Sequence, residues 1–331
     1  MLRAAFLLAL LAAAAGVGWL AWFAHRPLAL PAVPYEFTVR PGASLKGVAR
    51  ELASQGVFPE AESFWILGRS LGKAGSIRAG TYRLDAPVTP LALLDKLARG
   101  DVMLVPILFV EGTTFRQWLA QLAANPRVRH TLAGKDEAQV RAALGIEDRS
   151  LEGWFFPDTY RFSPGSSDVE ILRRAHLAMA RRLDAAWKER DADLPLATPY
   201  DALILASIVE KETAVPAERP LIASVFLNRL RRGMRLQTDP TVIYGMGSRY
   251  DGNIRRKDLE EDTPWNTYTR AGLPPTPIAM PGEEALRAVV HPAASEYLYF
   301  VARGDGSHEF SRTLEQHNRA VARYQLHRAP S

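Results

Sequence analysis

The feature that most constrains this 331-residue chain is an uncharged, mostly apolar run of about 21 residues at 4–24. At roughly 1.5 Å rise per residue, a helix of that length crosses the hydrocarbon core of a membrane. Trp19 and Trp22 lie near its end, as at a membrane interface. The run predicts a single membrane anchor, and the alternative is a cleaved signal peptide, because residues 12–15 are small. Either interpretation exports the rest of the chain.

The composition excludes several classes of site. The sequence has no cysteine, which rules out disulfide scaffolds, thiolate nucleophiles and cysteine-bound zinc. Its seven histidines form no HExxH motif and no pair at helical ligand spacing, so neither a metal site nor a cofactor is predicted. The net charge of +5 is spread over mixed acidic and basic runs, and it therefore gives no reason to predict nucleic-acid binding.

Caps, turns and apolar spacing divide the chain into four parts. Residues 1–26 are predicted to be a cytoplasmic tip with the membrane anchor, and 27–35 a linker rich in Pro and Ala. Strand and helix signals follow over 36–100 in the order β-α-α-β-α. Residues 101–331 are predicted to form a mainly helical domain with few strands. The predicted fold class is therefore α+β with one amino-terminal transmembrane helix.

The larger predicted domain has a more specific pattern. It contains an aromatic segment interrupted by Pro at 153–160, which predicts a packed loop whose rings contribute to the core or stack on sugars. The other predicted elements are strands at 102–111 and 297–301 and helices at 115–124, 137–144, 169–190 and 199–213.

The helix at 199–213 has the clearest start. Thr198 can cap it, Pro199 takes the tolerated first position, and Asp201 lies near the positive end of the helix dipole. Residues 203–209 are apolar almost all round, as in a helix buried at the centre of a domain. The helix nevertheless ends in two carboxylates, which are unusual so close to a buried segment.

Those carboxylates belong to Glu210 and Glu212. Two positions turn a helix by about 200°, so the two side chains face nearly opposite ways and cannot share one substrate atom. At most one of them can lie in a reaction centre, and the other is expected to pair with a base or a backbone donor. A helix end that merely solvates itself is the simpler interpretation of the pair taken alone.

Polar and aromatic residues downstream favour a functional interpretation. Amides, hydroxyls and rings alternate there in loops punctuated by Pro and Gly, a pattern that can line a groove for a hydroxyl-rich polymer. Each residue alone has an ordinary explanation as turn former or core, so the prediction depends on the combination. The candidate binding residues are Asn228, Gln237, Asp239, Tyr244, Asn266 and Tyr268.

This region contains five long strings, ASIVEKET at 206–213, SVFLNRL at 224–230, MRLQTDPTVIYG at 234–245, YTRAGLPP at 268–275 and YLYFV at 297–301. These strings resemble a known family, the endolytic murein transglycosylases (MltG or YceG-like family). The resemblance covers nearly the whole exported chain and includes the single amino-terminal anchor. It is specific, because the strings are long and occur in the family's order and spacing.

The resemblance implies a LysM-like subdomain at 36–100 and a catalytic domain at 101–331. It implies cleavage of the β-1,4 bond between N-acetylmuramic acid and N-acetylglucosamine in nascent glycan, which would end strand elongation. It places the enzyme in the inner (plasma) membrane as a single-pass protein with a periplasmic catalytic domain. Peptidoglycan synthases (penicillin-binding proteins) are the partners that such a position would suit.

The family's essential glutamate lies in the Glu-Lys-Glu motif, and alignment assigns it to Glu212, with Glu210 as the competing assignment. Protonated Glu212 would donate to the glycosidic oxygen and then accept the proton of the muramoyl C6 hydroxyl, giving a 1,6-anhydro end. The apolar helix before it would raise its pKa. Gln237, Asn266 or Tyr268 could orient the N-acetyl groups.

Two other functions remain open from the sequence. One is a hydrolytic muramidase in which Asp239 is the second carboxylate and activates water. The other is a non-catalytic scaffold that binds glycan through residues 36–100 and holds synthesis proteins near the membrane. The first leaves reducing ends on the products, and the second predicts that Glu212→Gln leaves function intact.

Overall fold

The structure is a computed structural model that describes residues 2–147 and 150–326, and these divide into two compact units. The amino-terminal unit runs to Pro106 and also contains Arg161–Ser166. The carboxy-terminal unit contains the rest of the described chain, from Ile107–Tyr160 and from Ser167 onward.

The amino-terminal unit begins with the apolar helix α1, Leu2–His25. Its stretch Arg3–His25 is long and apolar enough to cross a membrane, by length and composition. The far end of α1 is different, because Phe23 and Ala24 are buried against the core of the same unit. This confirms an apolar helix consistent with a single-pass anchor, while a signal sequence would pass the same test.

The rest of this unit follows the predicted order β-α-α-β-α. Its two strands pair antiparallel, with Phe37 opposite Tyr82, and the two rings stack in the core. Ser44 and Thr89 accept hydrogen bonds from the first turns of their helices, as caps do. The elements are β1 Tyr35–Val39, α2 Leu45–Ser54, α3 Ala61–Ser70, β2 Gly80–Leu84 and α4 Pro90–Arg99.

The remaining elements are mainly helices, with two more two-stranded sheets, β3–β4 and the antiparallel β5–β6. The strands are β3 Val105–Leu108, β4 Thr159–Phe162, β5 Tyr299–Ala302 and β6 His308–Ser311. The helices are α5 Phe115–Ala123, α6 Glu137–Leu144, α7 Asp168–Lys188, α8 Pro199–Glu212, α9 Arg219–Arg231, α10 Asp239–Met246, α11 Arg256–Glu260, α12 Glu283–Val290 and α13 Leu314–Val321, which a π-helical turn, Ala322–Leu326, extends.

Helix α8 lies at the centre of the carboxy-terminal unit. Its residues 202–209 are all buried, and α7, α9 and α12 pack around it. A helix that is apolar on every side is stabilised most in such a position, because burying each of its faces removes apolar surface from water. Even Ser207 is satisfied there, since its hydroxyl donates to the carbonyl of Ile204 and accepts from the amide of Ile278. The core thus holds the end of α8 in a fixed place.

The structure differs from the predicted elements at several boundaries. The strand predicted at 102–111 is limited to four residues, and the one predicted at 297–301 begins two residues later. Helix α10 and strand β6 were not predicted. In the sequence, Asp239-Pro240 is typical of a turn, yet both residues also suit the first turn of a helix. Backbone N–H groups there have no partner within the helix, so Pro costs no hydrogen bond, and the Asp carboxylate interacts favourably with the positive end of the helix dipole.

Candidate active site

Glu212 is the last residue of α8, and its carboxyl group meets the residue that precedes α10. The hydroxyl of Thr238 donates a hydrogen bond to Oε1 of Glu212. Thr238 is the N-cap residue of α10, but its side chain does not cap that helix. It is itself held in place, since its amide donates to Oγ1 of Thr267 at 3.1 Å. The carboxyl group therefore sits where the ends of two helices meet.

The surroundings of Glu212 favour its protonated form. Burial raises its pKa from 4.5 to about 7, because a carboxylate loses more hydration than a neutral carboxyl. The hydrogen bond from Thr238 acts against this, the negative charge of Asp239 adds to it, and the positive charges of His308 and Arg229 oppose it. A carboxyl with a pKa near 7 can both donate and accept a proton at neutral pH.

Glu210 has a different environment. Its side chain is only 5% exposed, and Oε1 forms an ion pair with Nη2 of Arg219 at 3.1 Å. Oε2 accepts a hydrogen bond from the amide of Gly282 at 2.9 Å. Both oxygens thus have partners, one a basic side chain and the other a backbone donor. The carboxyl of Glu212 instead has a neutral hydroxyl as its hydrogen-bond partner.

The segment before α10 has an unusual backbone. Gln237 has φ of 51°, in the left-handed region that side chains other than Gly rarely adopt. It lies between Leu236 and Thr238, which are both buried, and its own side chain is exposed. Its backbone N–H donates to the backbone carbonyl of Thr267 at 3.1 Å. This conformation turns the Gln237 side chain toward solvent beside the hydroxyl that contacts Glu212.

Asp239 and Tyr268 form a second polar pair at the site. The Tyr268 hydroxyl donates to Oδ1 of Asp239 at 2.6 Å. Burial and this carboxylate both raise the pKa of Tyr268, so its hydroxyl remains a donor. Asp239 is exposed, and its charge acts on Glu212. The structure therefore brings together four of the residues singled out in the sequence, which are Glu212, Gln237, Asp239 and Tyr268.

Two other candidate residues bond to backbone groups. The amide nitrogen of Asn228 donates to the carbonyls of Ser295 and Tyr297 at 2.9 and 3.0 Å. Asn266 is buried, and its amide nitrogen donates to carbonyls of the segment 258–261 while its oxygen accepts from the amide of Tyr268. These contacts support a role in holding loops, with Asn266 fixing the backbone of Tyr268.

Sequence reasoning missed two basic residues near Glu212. Arg229 is buried on α9 and donates to the carbonyls of Leu298 and Leu236, both at 2.6 Å. His308 on β6 bonds through Nδ1 to Oε2 of Glu218 at 2.7 Å. Both charges lower the pKa of Glu212. Nothing in the local sequence marks either residue, because their relation to Glu212 arises from the tertiary fold.

A second buried carboxyl was also missed, that of Glu152. It is 5% exposed, and Oε1 accepts from the amide of Phe115 at 2.9 Å while Oε2 accepts from the hydroxyl of Tyr244 at 3.1 Å. Burial raises its pKa from 4.5 to about 7, against these hydrogen bonds. Tyr244, a predicted binding residue, thus ties α10 to Glu152.

The aromatic segment at 153–160 contributes mainly to the core. Phe155, Phe156 and Tyr160 are buried, and Phe155 stacks on Phe115. Within residues 2–147 and 150–326, no group of three or more His, Asp or Glu side chains could hold a metal ion.

Comparisons with known proteins identify the family of this chain. The profile of the YceG-like family matches residues 37–323. The endolytic murein transglycosylase of Bacillus subtilis (strain 168) is 32% identical over 300 residues, which cover 86% of this chain and 82% of that protein. The endolytic murein transglycosylase of Streptococcus pneumoniae serotype 2 is 27% identical, and the match covers 80% of this chain but 57% of that longer relative.

A solved structure gives the same result for the fold. The crystal structure of a yceG-like protein from Listeria monocytogenes superposes with a TM-score of 0.53 at 28% sequence identity. The superposition covers 86% of this chain and 98% of that one. Since the family profile spans most of the chain and the relative from Bacillus subtilis is similar over nearly all of it, this chain belongs to the YceG-like family.

Proposed function

We propose that this protein is an endolytic lytic transglycosylase of peptidoglycan. It cleaves the β-1,4 bond between N-acetylmuramic acid and N-acetylglucosamine within nascent strands and leaves 1,6-anhydro ends, which ends strand elongation. Relatives that match nearly the whole chain carry the name endolytic murein transglycosylase. The observation that carries the proposal is Glu212, a carboxyl at the end of a buried helix with its pKa raised to about 7.

One carboxyl performs both proton transfers in this reaction. Glu212 donates its proton to the glycosidic oxygen, the bond from muramoyl C1 to that oxygen breaks, and positive charge develops at C1. The C6 hydroxyl of the same muramoyl residue then attacks C1, and its proton passes to the Glu212 carboxylate. No water is consumed, and Glu212 ends in the form in which it began. An attack within one sugar needs no second carboxylate to activate a nucleophile.

Neighbouring residues support these steps. The hydroxyl of Thr238 orients the Glu212 carboxyl and stabilises its ionised form between the two transfers. We assign the exposed side-chain amide of Gln237 and the hydroxyl of Tyr268, which pairs with Asp239, to contacts with the N-acetyl groups of the substrate. Asn228 and Asn266 act indirectly in this proposal, through the loops that they hold.

A hydrolytic muramidase is the nearest alternative, and Asp239 is the reason to consider it. Its carboxylate is exposed at the same site and close enough to Glu212 to raise the pKa of that group. A second carboxylate could activate water in place of the C6 hydroxyl. The two reactions give different products, since hydrolysis adds one water for each bond cut and leaves a reducing muramoyl end in place of the 1,6-anhydro end.

The test is digestion of purified peptidoglycan by the full-length protein in detergent, with mass analysis of the released fragments. We expect internal fragments with 1,6-anhydro ends from the wild type and from Glu210→Gln, and at least about a 10³-fold lower rate from Glu212→Gln. Ends heavier by one water would support the muramidase instead. A folded wild-type protein that cleaves nothing would favour the glycan-binding scaffold.

We propose a LysM-like role for residues 36–100 as a module that contacts glycan or positions the catalytic unit on the strand. The order of its two helices between two antiparallel strands supports this. Binding of uncleaved strands by the Glu212→Gln protein, with and without substitutions on the exposed face of this module, measures its contribution. Equal binding by both proteins would argue for a positioning role alone.

We further propose that α1 remains as a single-pass anchor in the plasma (inner) membrane, with the catalytic unit on the periplasmic side. Its length and hydropathy, with Phe23 and Ala24 packed into the core of the amino-terminal unit, support this. Intact mass of the membrane-extracted protein would include residues 1–26 if the anchor is retained. Crosslinking in membranes would test peptidoglycan synthases as partners.

A further inference from the structure

A cavity of about 710 Å³ lies in the carboxy-terminal unit beside Glu212. Its size falls within the range of roughly 300–1,000 Å³ that ligand pockets usually have. Lys211, which precedes Glu212, and Pro240, which follows Asp239, both line it. Glu212 and Asp239 themselves are absent from its lining. The cavity therefore adjoins the reaction centre without being part of it.

Three cationic side chains from three different elements face this cavity. They are Arg116 on α5, Lys135 in the turn before α6, and Lys211 on α8. All three are exposed, and none forms an ion pair with a carboxylate among residues 2–147 and 150–326. Lys211 donates a hydrogen bond to the carbonyl of Gly112 at 3.1 Å. Their charges are thus available to a ligand.

The acidic residues of the lining bond to the protein. Glu137 accepts a hydrogen bond from the amide of Leu151 at 3.3 Å, and both oxygens of Glu152 have donors of their own. Burial also favours the neutral form of Glu152. The cavity consequently presents more positive than negative charge to whatever enters it. Trp265 adds an apolar wall on which a planar amide or an alkyl chain can pack.

We propose that this cavity binds an acidic peptide, the stem attached to the glycan strand that is cut at Glu212. The proposal rests on the proposed function, since that function supplies a strand with peptide branches. The glycan backbone carries hydroxyl and acetamido groups, so it gives no reason for three cations without carboxylate partners. A peptide branch with free carboxylates, attached to a sugar of the strand cut at Glu212, matches both the charge of the cavity and its position next to Lys211 and Pro240.

The sharpest test changes the charge of the stem and nothing else. Strands with native stems are compared with strands whose stem carboxylates have been converted to carboxamides, at low ionic strength where exposed charges are least screened. We expect the wild-type protein to cleave the acidic strands with about tenfold higher kcat/KM, mainly through KM, as two partly exposed ion pairs would give. Equal rates on both substrates would overturn the proposal.

The variants assign that preference to the cavity. The double variant Arg116→Gln/Lys135→Gln should cleave acidic strands no faster than carboxamide strands. Its rate on carboxamide strands should equal that of the wild type. The matched control is Lys257→Gln/Arg287→Gln, which removes two exposed cations outside the cavity and should keep the tenfold preference. A loss that is equal on both substrates would mean that the cavity cations do not read the stem, and would overturn the proposal.

A binding measurement separates this inference from the proposed function. Calorimetry with the full-length Glu212→Gln protein compares a disaccharide tripeptide with its carboxamide form. We expect about tenfold tighter binding of the acidic form, lost in the triple variant that adds Arg116→Gln and Lys135→Gln. If no strand is ever cleaved, the proposed function fails while this difference still tests the cavity. Equal binding of the two ligands would refute the inference even if cleavage is observed.

Discussion

Glu210 and Glu212 are identical in type and two positions apart, yet they have opposite electrostatic environments. Glu210 meets a buried guanidinium and a backbone amide, both of which stabilise the ionised form. Glu212 meets a hydroxyl and, across the site, another carboxylate. The helix directs the two side chains to opposite sides of α8, and the elements packed on each side provide their different partners. In the function that we propose, the same residue type therefore serves structure at position 210 and proton transfer at position 212.

The balance of effects on Glu212 predicts how the pH dependence of cleavage should change. Donation requires the protonated carboxyl, so the rate should fall as the pH rises through about 7. In Thr238→Val the hydrogen bond that favours the ionised form is lost, which raises the pKa and moves this fall to higher pH. In Asp239→Asn a repelling negative charge is lost, which lowers the pKa and moves the fall to lower pH.

Profiles of kcat against pH for the wild type and both variants measure these shifts. The opposite directions of the two shifts distinguish a change in the pKa of Glu212 from a general loss of activity, which would lower kcat at every pH without moving the profile along the pH axis. Shifts of the same sign in both variants would contradict the assignment of Glu212 as the donor.

Glu210 should matter more for stability than for proton transfer. Removing it in Glu210→Ala leaves the buried guanidinium of Arg219 without its carboxylate, and we expect a loss of about 3 kcal/mol in the free energy of unfolding. Glu260→Ala is the matched control, because it removes a glutamate from the exposed pair with Arg256 and should cost less than about 1 kcal/mol. Denaturant titration gives both values. Equal losses would show that the buried pair has no special role.

At the scale of elements, the segment 236–241 organises the site. It ends one loop and begins α10, and within it buried and exposed residues alternate, so that Thr238 reaches Glu212 while Gln237 faces solvent. The left-handed backbone at Gln237 makes this arrangement possible. A residue with a side chain in that conformation costs roughly 1 kcal/mol or more relative to its ordinary conformations, and such residues cluster at functional sites.

Gln237→Gly tests whether this conformation is retained for function. Glycine adopts φ of 51° without a steric penalty, so the free energy of unfolding should stay within about 1 kcal/mol of the wild-type value or rise. If the Gln237 side chain contacts glycan, kcat/KM should nevertheless fall, by about tenfold for one lost hydrogen bond to substrate. Unfolding and kinetics on the same preparation measure the two effects. Unchanged kinetics would remove Gln237 from the binding site.

The elements that the sequence predicted well are those whose signals are local. The β-α-α-β-α order has its own caps and turns, and α8 has Thr198, Pro199 and an apolar middle. Glu212 was also found from local signals, because the sequence itself shows a carboxylate at the end of an apolar helix. Helix α10 was missed because Asp-Pro suits a turn and a helix start equally well.

What the sequence could not predict depends on contacts between distant residues. Arg229 and His308 act on Glu212 from α9 and β6, and Glu152 acquires its environment from Phe115 and Tyr244, far away in the chain. Periodicity and capping carry no information on such pairs. Only the packing of the carboxy-terminal unit brings these groups together, which is why the partners of the site were harder to predict than its central residue.

At the scale of the whole molecule, two carboxyls whose pKa values lie near 7 couple folding to pH. Glu152 and Glu212 both have a folded-state pKa above the value of 4.5 expected in the unfolded chain. Between these values the folded protein binds more protons than the unfolded chain does. Stability contributed by such groups is present at low pH and is lost as the pH rises toward 7. These two groups should therefore contribute more stability in mildly acidic than in neutral solution.

Glu152 allows this coupling to be measured away from the reaction centre. Its pKa shift, from 4.5 to about 7, corresponds to stability on the order of 3 kcal/mol that is lost between pH 4.5 and 7.5. In Glu152→Gln the side chain at this position does not titrate. From pH 4.5 to 7.5, the free energy of unfolding of the variant should therefore fall about 3 kcal/mol less than that of the wild type. Denaturant titrations at pH 5 and 7.5 on both proteins give the difference. Parallel behaviour of the two proteins would mean that Glu152 is ionised in the folded state throughout, and that hydration or an additional donor compensates its burial.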